Sequence, residues 1–247
     1  MNKQKFIKLF KKGLKQINLK LNKEQLNIFW IYMNFLIKEN KKYNLTAIKK
    51  PENIIYKHFL DSMIVTREID FKEKPKVIDV GTGAGFPGLV LKILRPKINL
   101  VLLDSRLKRI HFLKLLIKNR LEQFNDYFNN IEMIHERAEK LAHRDSYREN
   151  FVYVVSRAVA PLNILCEYTL PFLKIGGYAV FYKGAEYNQE LQKALSGIQK
   201  LGGKLISCPE VDIPKIDGKR HLIVIKKQTV TADDFPRKPG IPKKRPL

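Results

Sequence analysis

The stretch DVGTGAGFPG (79–88) places four glycines in ten positions, directly after KPKVI (74–78) and overlapping the end of the apolar run KVIDV (76–80). Glycine loses more conformational freedom on ordering than any other residue, so such a cluster marks a backbone that must turn tightly or meet a ligand closely. A strand-like run before it and the helical run GLVLKIL (88–94) after it give the context of a nucleotide-binding turn. GAGFPG (83–88) fits the dinucleotide fingerprint, in which a pyrophosphate rests on free N–H groups at a helix start. Pro87 removes one such donor. The glycines also begin earlier, as D-x-G-x-G-x-G over Asp79, Gly81, Gly83 and Gly85. A carboxylate beside the loop disfavours a pyrophosphate and suits a cationic ligand. A second acid, Asp104, closes NLVLLD (99–104), 19 residues beyond Gly85, where a strand-end carboxylate can accept both ribose hydroxyls. Two acids around a bare loop fit S-adenosylmethionine, a nucleoside with a sulfonium and no phosphate. A nicotinamide-dependent oxidoreductase using GAGFPG is the competing reading.

These residues need a sheet to hold them. Strand-like KVIDV, NLVLLD, IEMIHERA (131–138), FVYVVSRAV (151–159) and GGYAVFYKG (176–184) alternate with helical runs. Such alternation predicts a parallel sheet with crossover helices on both faces. GKLISCPEVDI and KRHLIVIKK flank PKIDGK, whose Asp217-Gly218 is a hairpin signal. The expected fold is α/β, a mostly parallel seven-stranded sheet ending in an antiparallel hairpin. Residues 69–228 form this domain.

Residues 1–68 read as a helical extension. Phe6, Leu9, Phe10, Gly13, Leu14 and Ile17 recur with helical period, opposite Lys5, Lys8, Lys12 and Lys15. Eight lysines and no acid lie between Met1 and Lys23. Such a helix suits a membrane surface or a core-packed helix whose lysines meet RNA. Asn22 and Gln25 form a capping box for a second helix, and a third starts at Pro51. Residues 229–247 end in FPRKPGIPKKRPL, with four prolines and five basic residues, and read as an extended arm.

The 247 residues carry 47 Lys and Arg against 24 Asp and Glu, a net charge of +23. That excess favours a polyanionic partner and leaves a small-molecule substrate without a reason for the charge. Two distant cysteines, Cys166 and Cys208, make no disulfide framework, which fits a reducing cytoplasm. The first twenty residues hold no uninterrupted signal-peptide core, and no apolar run is long enough to span a membrane. No cluster has metal-ligand spacing, so no metal is expected.

Several stretches together resemble the ribosomal RNA small subunit methyltransferase G family, once called glucose-inhibited division protein B. They are YNLTAI (43–48), HFLDS (58–62), DVGTGAGFPG, LLDS with KRIHFL (108–113), SRAVA (156–160), YKG (182–184), RHLIVIKK (220–227) and the terminal FPRKPGIPKKRPL. The resemblance covers nearly the whole chain, and GTGAGFPG and PRKPGIP are specific to the family. It implies a class I, Rossmann-like fold that uses S-adenosylmethionine to methylate guanine N7 in 16S rRNA, giving 7-methylguanosine in the assembling or mature small ribosomal subunit. It implies that Gly81 and Phe86 line the methionine and adenosine, and that Asp104, Ser105 and Arg106 follow the ribose. Ala138 and Glu139 then flank the adenine, and Arg157 approaches the cofactor carboxylate or the RNA. Arg106 departs from the family, which often has an apolar residue there, so its implied contact is through the backbone. The resemblance carries the expectation of a cytoplasmic monomer.

Guanine N7 has a free in-plane lone pair and needs no proton removed, so catalysis can be mostly proximity and alignment. An exocyclic-amine methyltransferase carries Asn- or Asp-Pro-Pro-aromatic after its fourth strand, where this chain has SRAVAP. A cytosine-C5 enzyme needs Pro-Cys, whereas Cys208 precedes its proline. No general base is therefore assigned. Arg157 and Lys183, both at strand ends, are the candidates for substrate contact. Another RNA methyltransferase, or an RNA-binding module with a relic pocket, are the remaining readings.

Overall fold

The computed structural model describes residues 1–71, 73–213, 215, 216 and 218–247. Helix α1 (Lys3–Gln16) starts at Asn2, whose side chain accepts from the Lys5 N–H. Helix α2 (Lys23–Tyr43) has the expected capping box of Asn22 and Gln25, and it stops at Asn44 in the left-handed conformation. The third helix begins at Pro51 as α3 (Pro51–Ile54). It then widens into a π-helical stretch (Ile55–Leu60) before α4 (Asp61–Met63) and α5 (Val65–Glu68). Phe10 packs edge-on to Phe29 at 5.3 Å, and Phe29 meets Phe59 at 4.9 Å. These rings bind α1, α2 and the π-helical stretch into one layer.

The sheet comprises β1 (Lys76–Val80), β2 (Asn99–Asp104), β3 (Ile131–His135), β4 (Phe151–Arg157), β5 (Leu173–Lys183), β6 (Gly203–Ser207), β7 (Glu210–Val211) and β8 (Arg220–Lys227). Their order is β3-β2-β1-β4-β5-β8-β6, with β7 also on β8. Strands β1 to β5 pair in parallel, and β8 runs antiparallel to β5, β6 and β7. The sixth strand expected, over GKLISCPEVDI, is divided in two. Pro209, which lacks an N–H, sits at the break. The antiparallel ending is present, but Asp217 of the expected Asp217-Gly218 turn lies outside the described residues.

The crossover helices are α6 (Gly88–Leu94), α7 (Leu107–Arg120), α8 (Asn125–Phe128), α9 (Ala138–Leu141), α10 (Leu162–Thr169) and α11 (Tyr187–Lys200). Side chains alternate across each strand. Val77 of β1 joins a core shared with α1, α2, α6 and α7, while Ile78 joins one shared with α9, α10 and α11. The chain leaves β1 toward β2 and β3 on one side and returns to β4 and β5 on the other. That reversal opens a crevice at the carboxyl ends of β1 and β4, where open α/β sheets bind ligands.

The C-terminal segment is not the extended arm its composition suggests. It folds back over α9 and α10 and ends in α12 (Ile241–Lys244). Phe235 is buried. The Arg148 guanidinium donates to the carbonyls of Phe235 (2.8 Å) and Thr231 (2.7 Å), and His143 Nε2 donates to that of Pro236 (2.7 Å). The physical reason is Glu167 on α10, which is 0 % exposed. Arg237 meets that carboxylate through its backbone N–H (2.8 Å), Nε (2.9 Å) and a terminal nitrogen (2.6 Å). A buried carboxylate needs such a partner, and removing one member of a buried pair costs about 3–5 kcal/mol. Arg237→Ala should lower the unfolding free energy by about 3 kcal/mol. Glu167→Gln in the same chain should recover part of that loss. Urea titrations that show Arg237→Ala as stable as the parent would mean the tail is not docked in solution.

Candidate functional site

The glycine loop is tied to both flanking strands. The N–H groups of Gly81 and Thr82 donate to the Leu103 carbonyl of β2 at 2.8 and 3.0 Å. Beneath the loop, Asp79 Oδ2 accepts from Thr82 Oγ1 (2.6 Å) and from the Gly88 N–H (2.8 Å). Its second oxygen, Oδ1, is buried without a hydrogen-bond partner among the described residues. Burial pushes the Asp79 carboxyl up to about 7, against the lowering effect of its two donors. At β2's end, Asp104 Oδ2 accepts from the Gly83 N–H (2.9 Å) and from Arg109 (3.0 Å), and Oδ1 accepts from the Arg106 N–H (2.9 Å).

Two glycines show why side chains are excluded. Gly81 has φ +74°, and a Cβ there would lie 2.4 Å from Val159 Cγ2. Gly83 has φ +61°, and a Cβ would meet nothing nearer than the Gly81 carbonyl at 4.0 Å, so it faces open space. That space is a cavity of about 690 Å³, within the range of small-ligand sites. Gly81, Thr82, Gly83, Ala84 and Phe86 form one wall. His58, Asp61, Arg157, Lys183 and Arg220 line it as well.

Phe86 stacks on Tyr32 (5.5 Å) and on His58 (4.4 Å), both at 13°. The Tyr32 hydroxyl donates to the Ala84 carbonyl. Arg157 lies 5.2 Å from the Phe86 centroid and donates to His58 Nδ1 at 3.1 Å. A guanidinium only donates, so Nδ1 accepts and the His58 proton is on Nε2, which donates to Thr46 Oγ1 at 2.8 Å. Burial, then the Arg157 charge, pull His58 down to about 3 and hold it neutral. Arg157 also meets Asp61 Oδ2 at 2.6 Å, and Arg220 Nε lies 3.5 Å from Asp61 Oδ1. Lys183 pairs with Glu190 at 2.6 Å and donates to the Ala160 carbonyl at 3.0 Å. The lining thus carries Lys57, Arg109, Arg157, Lys183 and Arg220 against only Asp61 and Glu190, which favours an anionic visitor.

Of the residues expected from the sequence, Gly81, Gly83, Phe86, Arg157 and Lys183 lie on the cavity wall. Asp79 sits behind the loop, and Gly85 turns inward against Tyr32. Asp104 closes β2 and Ser105 and Arg106 follow it, the Arg106 N–H donating to Asp104 Oδ1. Asp104 has three of roughly four acceptor positions filled, so two ribose hydroxyls require Arg109 to withdraw. Ala138 and Glu139 are on α9, outside the described cavity lining. Glu139 faces Arg137 (2.9 Å) and the Gly240 N–H (3.3 Å). His58, Asp61, Thr46, Arg109 and Arg220 were not singled out as site residues. HFLDS and RHLIVIKK were visible as motifs, but only the fold brings them to one cavity.

The solved structures with this fold include a predicted O-methyltransferase from Agrobacterium tumefaciens, at a TM-score of 0.53 and 15% identity over 69% of this chain and 83% of that one. An S-adenosylmethionine-dependent O-methyltransferase from Thermotoga maritima matches at 0.50 and 17% identity, over 80% of this chain and 72% of that one. These likenesses concern the fold. Sequence relatives are much nearer. The ribosomal RNA small subunit methyltransferase G of Clostridium novyi is 43% identical over 100% of both chains. That of Lachnoclostridium phytofermentans is 44% identical over 96% of each. The family pattern described as rRNA small subunit methyltransferase G matches residues 25–223. With the glycine loop, the strand order and these relatives in agreement, the chain belongs to the rRNA small subunit methyltransferase G family.

Proposed function

We propose that this chain transfers a methyl group from S-adenosylmethionine to N7 of a guanine in 16S rRNA of the small ribosomal subunit, in the cytoplasm. One observation carries the regiochemistry. Among the described residues, the proton acceptors on the cavity wall sit in cationic or hydrogen-bonded pairs: His58 between Arg157 and Thr46, Asp61 between Arg157 and Arg220 with its Oδ1 accepting no hydrogen bond, and Glu190 with Lys183 and the Leu162 N–H. A carboxylate held between guanidiniums and an imidazole held neutral are poor bases, which suits an atom that already presents its lone pair. Family membership and the net charge of +23 support the RNA substrate.

The residues present fit the cofactor. Gly83 opens onto the cavity, the buried Asp79 has an unpartnered oxygen beneath it, and Asp104 stands at the neighbouring strand end. Gly81, Gly83, Phe86 and Asp104 would hold S-adenosylmethionine, which supplies an electrophilic methyl on a sulfonium. The protein's own task is alignment. Phe86 is fixed by its stacking partners, and Arg157 is fixed by Asp61 and His58. Methylation at N7 leaves the guanine positively charged. Asp61 offsets Arg157 and Arg220, so that charge does not form against bare guanidiniums.

Three outcomes test this reading. Small subunits whose target guanine is replaced by 7-deazaguanine should bind but accept no methyl. Labelled methyl at that nucleotide would move the reaction to another atom. Asp104→Ala should weaken S-adenosylmethionine binding at least tenfold by calorimetry, about 1.4 kcal/mol or more, because charge-assisted hydrogen bonds are lost. An intact variant with parental affinity would remove Asp104 from the site. The third outcome concerns pH. Asp79 in the free protein ionises near 7, and a net cationic ligand favours the ionised form. Affinity should therefore rise with pH through about 7, and binding at pH 6.5 should release protons. Calorimetry in buffers of different ionisation enthalpy reads that release, and Asp79→Asn should abolish it. His58 stays neutral across this range, so the rate at saturating cofactor should show no limb between roughly pH 6 and 9.

A further inference from the structure

On α1, successive residues turn by about 100°, so Lys5, Lys8, Lys11, Lys12 and Lys15 fall within an arc of about 120° and rise about 15 Å along the axis. All five are exposed. Opposite them, Phe6 and Phe10 are buried completely and Leu14 almost so, against α2 and the π-helical stretch. Among the described residues, none of the five lysines pairs with a carboxylate. The first three acids of the sequence have other direct partners: Glu24 accepts from the Tyr127 hydroxyl, Glu39 pairs with Lys42, and Glu52 pairs with Lys215 and feels Lys5 only through space. The stripe ends beside a cavity of about 890 Å³, where Lys11, Lys15 and Lys20 surround Leu14, Leu19 and Leu21 with no acid in the lining.

An amphipathic helix that lies on a membrane inserts its apolar face. In α1 that face is consumed by the core, so only the cationic face is left to act. A band of cations along one face of a packed helix, none in a salt bridge among the described residues, fits a polyanion with regularly spaced charges. Folding α1 onto the core also fixes the stripe relative to the catalytic cavity.

We propose that this lysine stripe of α1 is a docking rail for the sugar-phosphate backbone of the RNA substrate, outside the cavity that holds the reacting groups. The inference rests on the proposed rRNA methyltransferase activity. Each neutralised phosphate contributes roughly 0.7–0.9 to the dependence of log affinity on log salt. The variant K5Q/K8Q/K11Q/K12Q/K15Q keeps good helix formers at every position. Its kcat/KM for methylation of small subunits, measured over a range of KCl, should show a salt slope shallower by about 3.5–4.5 for five contacts. S-adenosylmethionine affinity and kcat at saturating subunits should match the parent. The five lysine-to-arginine substitutions should restore the slope. A folded glutamine variant with the parental slope overturns the proposal. So does a variant that loses binding to vesicles containing phosphatidylserine while its slope on subunits is unchanged, since the stripe then serves a lipid surface. If the parent protein transfers no methyl to rRNA, the activity itself is refuted, which is a separate result.

Discussion

Arg157 and Asp61 meet at 2.6 Å across the seam between the sheet and the N-terminal helical layer, with side chains 11% and 5% exposed. Arg157 ends β4 at the topological switch point, and Asp61 opens α4 just beyond the π-helical stretch. This pair determines how the two layers register. It sets the plane of Arg157 against Phe86 and, through Nδ1, fixes the His58 tautomer. Arg220 at the start of β8 leans on the same carboxylate, so three parts of the chain far apart in sequence converge on one acid. In so dry a seam neither charge is tolerable alone, and their mutual dependence makes the cavity geometry a property of the whole fold.

The loop and the seam divide the work. On the loop side, backbone N–H groups are consumed by Leu103, Asp79 and Asp104, and the glycines expose bare main chain to the cavity. On the seam side, Arg157, Asp61 and His58 hold one another in place, while Asp61 Oδ1 and Ser62 Oγ are left without hydrogen bonds among the described residues. The result is a site organised before a ligand arrives, in which positioning rather than proton transfer is available to lower the barrier. The basic lining and the basic exterior carry the same sign, so long-range attraction and local fit act together on a polyanion.

The sheet was legible because its code is local. KVIDV, NLVLLD and FVYVVSR each place apolar residues on both faces, as a covered parallel strand requires, and the glycines fall where β1 turns into α6. The capping box at Asn22 was legible for the same reason. What sequence reasoning missed depends on contacts distant in sequence. The wider coil of residues 55–60 departs from the 3.6-residue period, so the direction of His58 and Asp61 could not be read from spacing. Arg109 reads as one more cation on a basic helix until Asp104 is seen beside it. The tail misled through composition: prolines and lysines describe a solvated arm, and only the buried Glu167, 70 residues upstream of Arg237, shows why the chain returns.

That return has a consequence for biosynthesis. A chain emerging from its N-terminus can assemble α1 through β5 before its last segment exists, with domains consolidating as they appear at about 5–20 residues per second. Throughout roughly the 4–14 s that separate Glu167 from Arg237 at that pace, α10 carries a carboxylate destined for burial and still without its cation. Final closure of that face therefore waits until Arg237 has been made. A polypeptide interrupted just before Arg237 already has nearly all of these core residues yet keeps this ionic defect, which marks it for any cellular system that surveys partial unfolding.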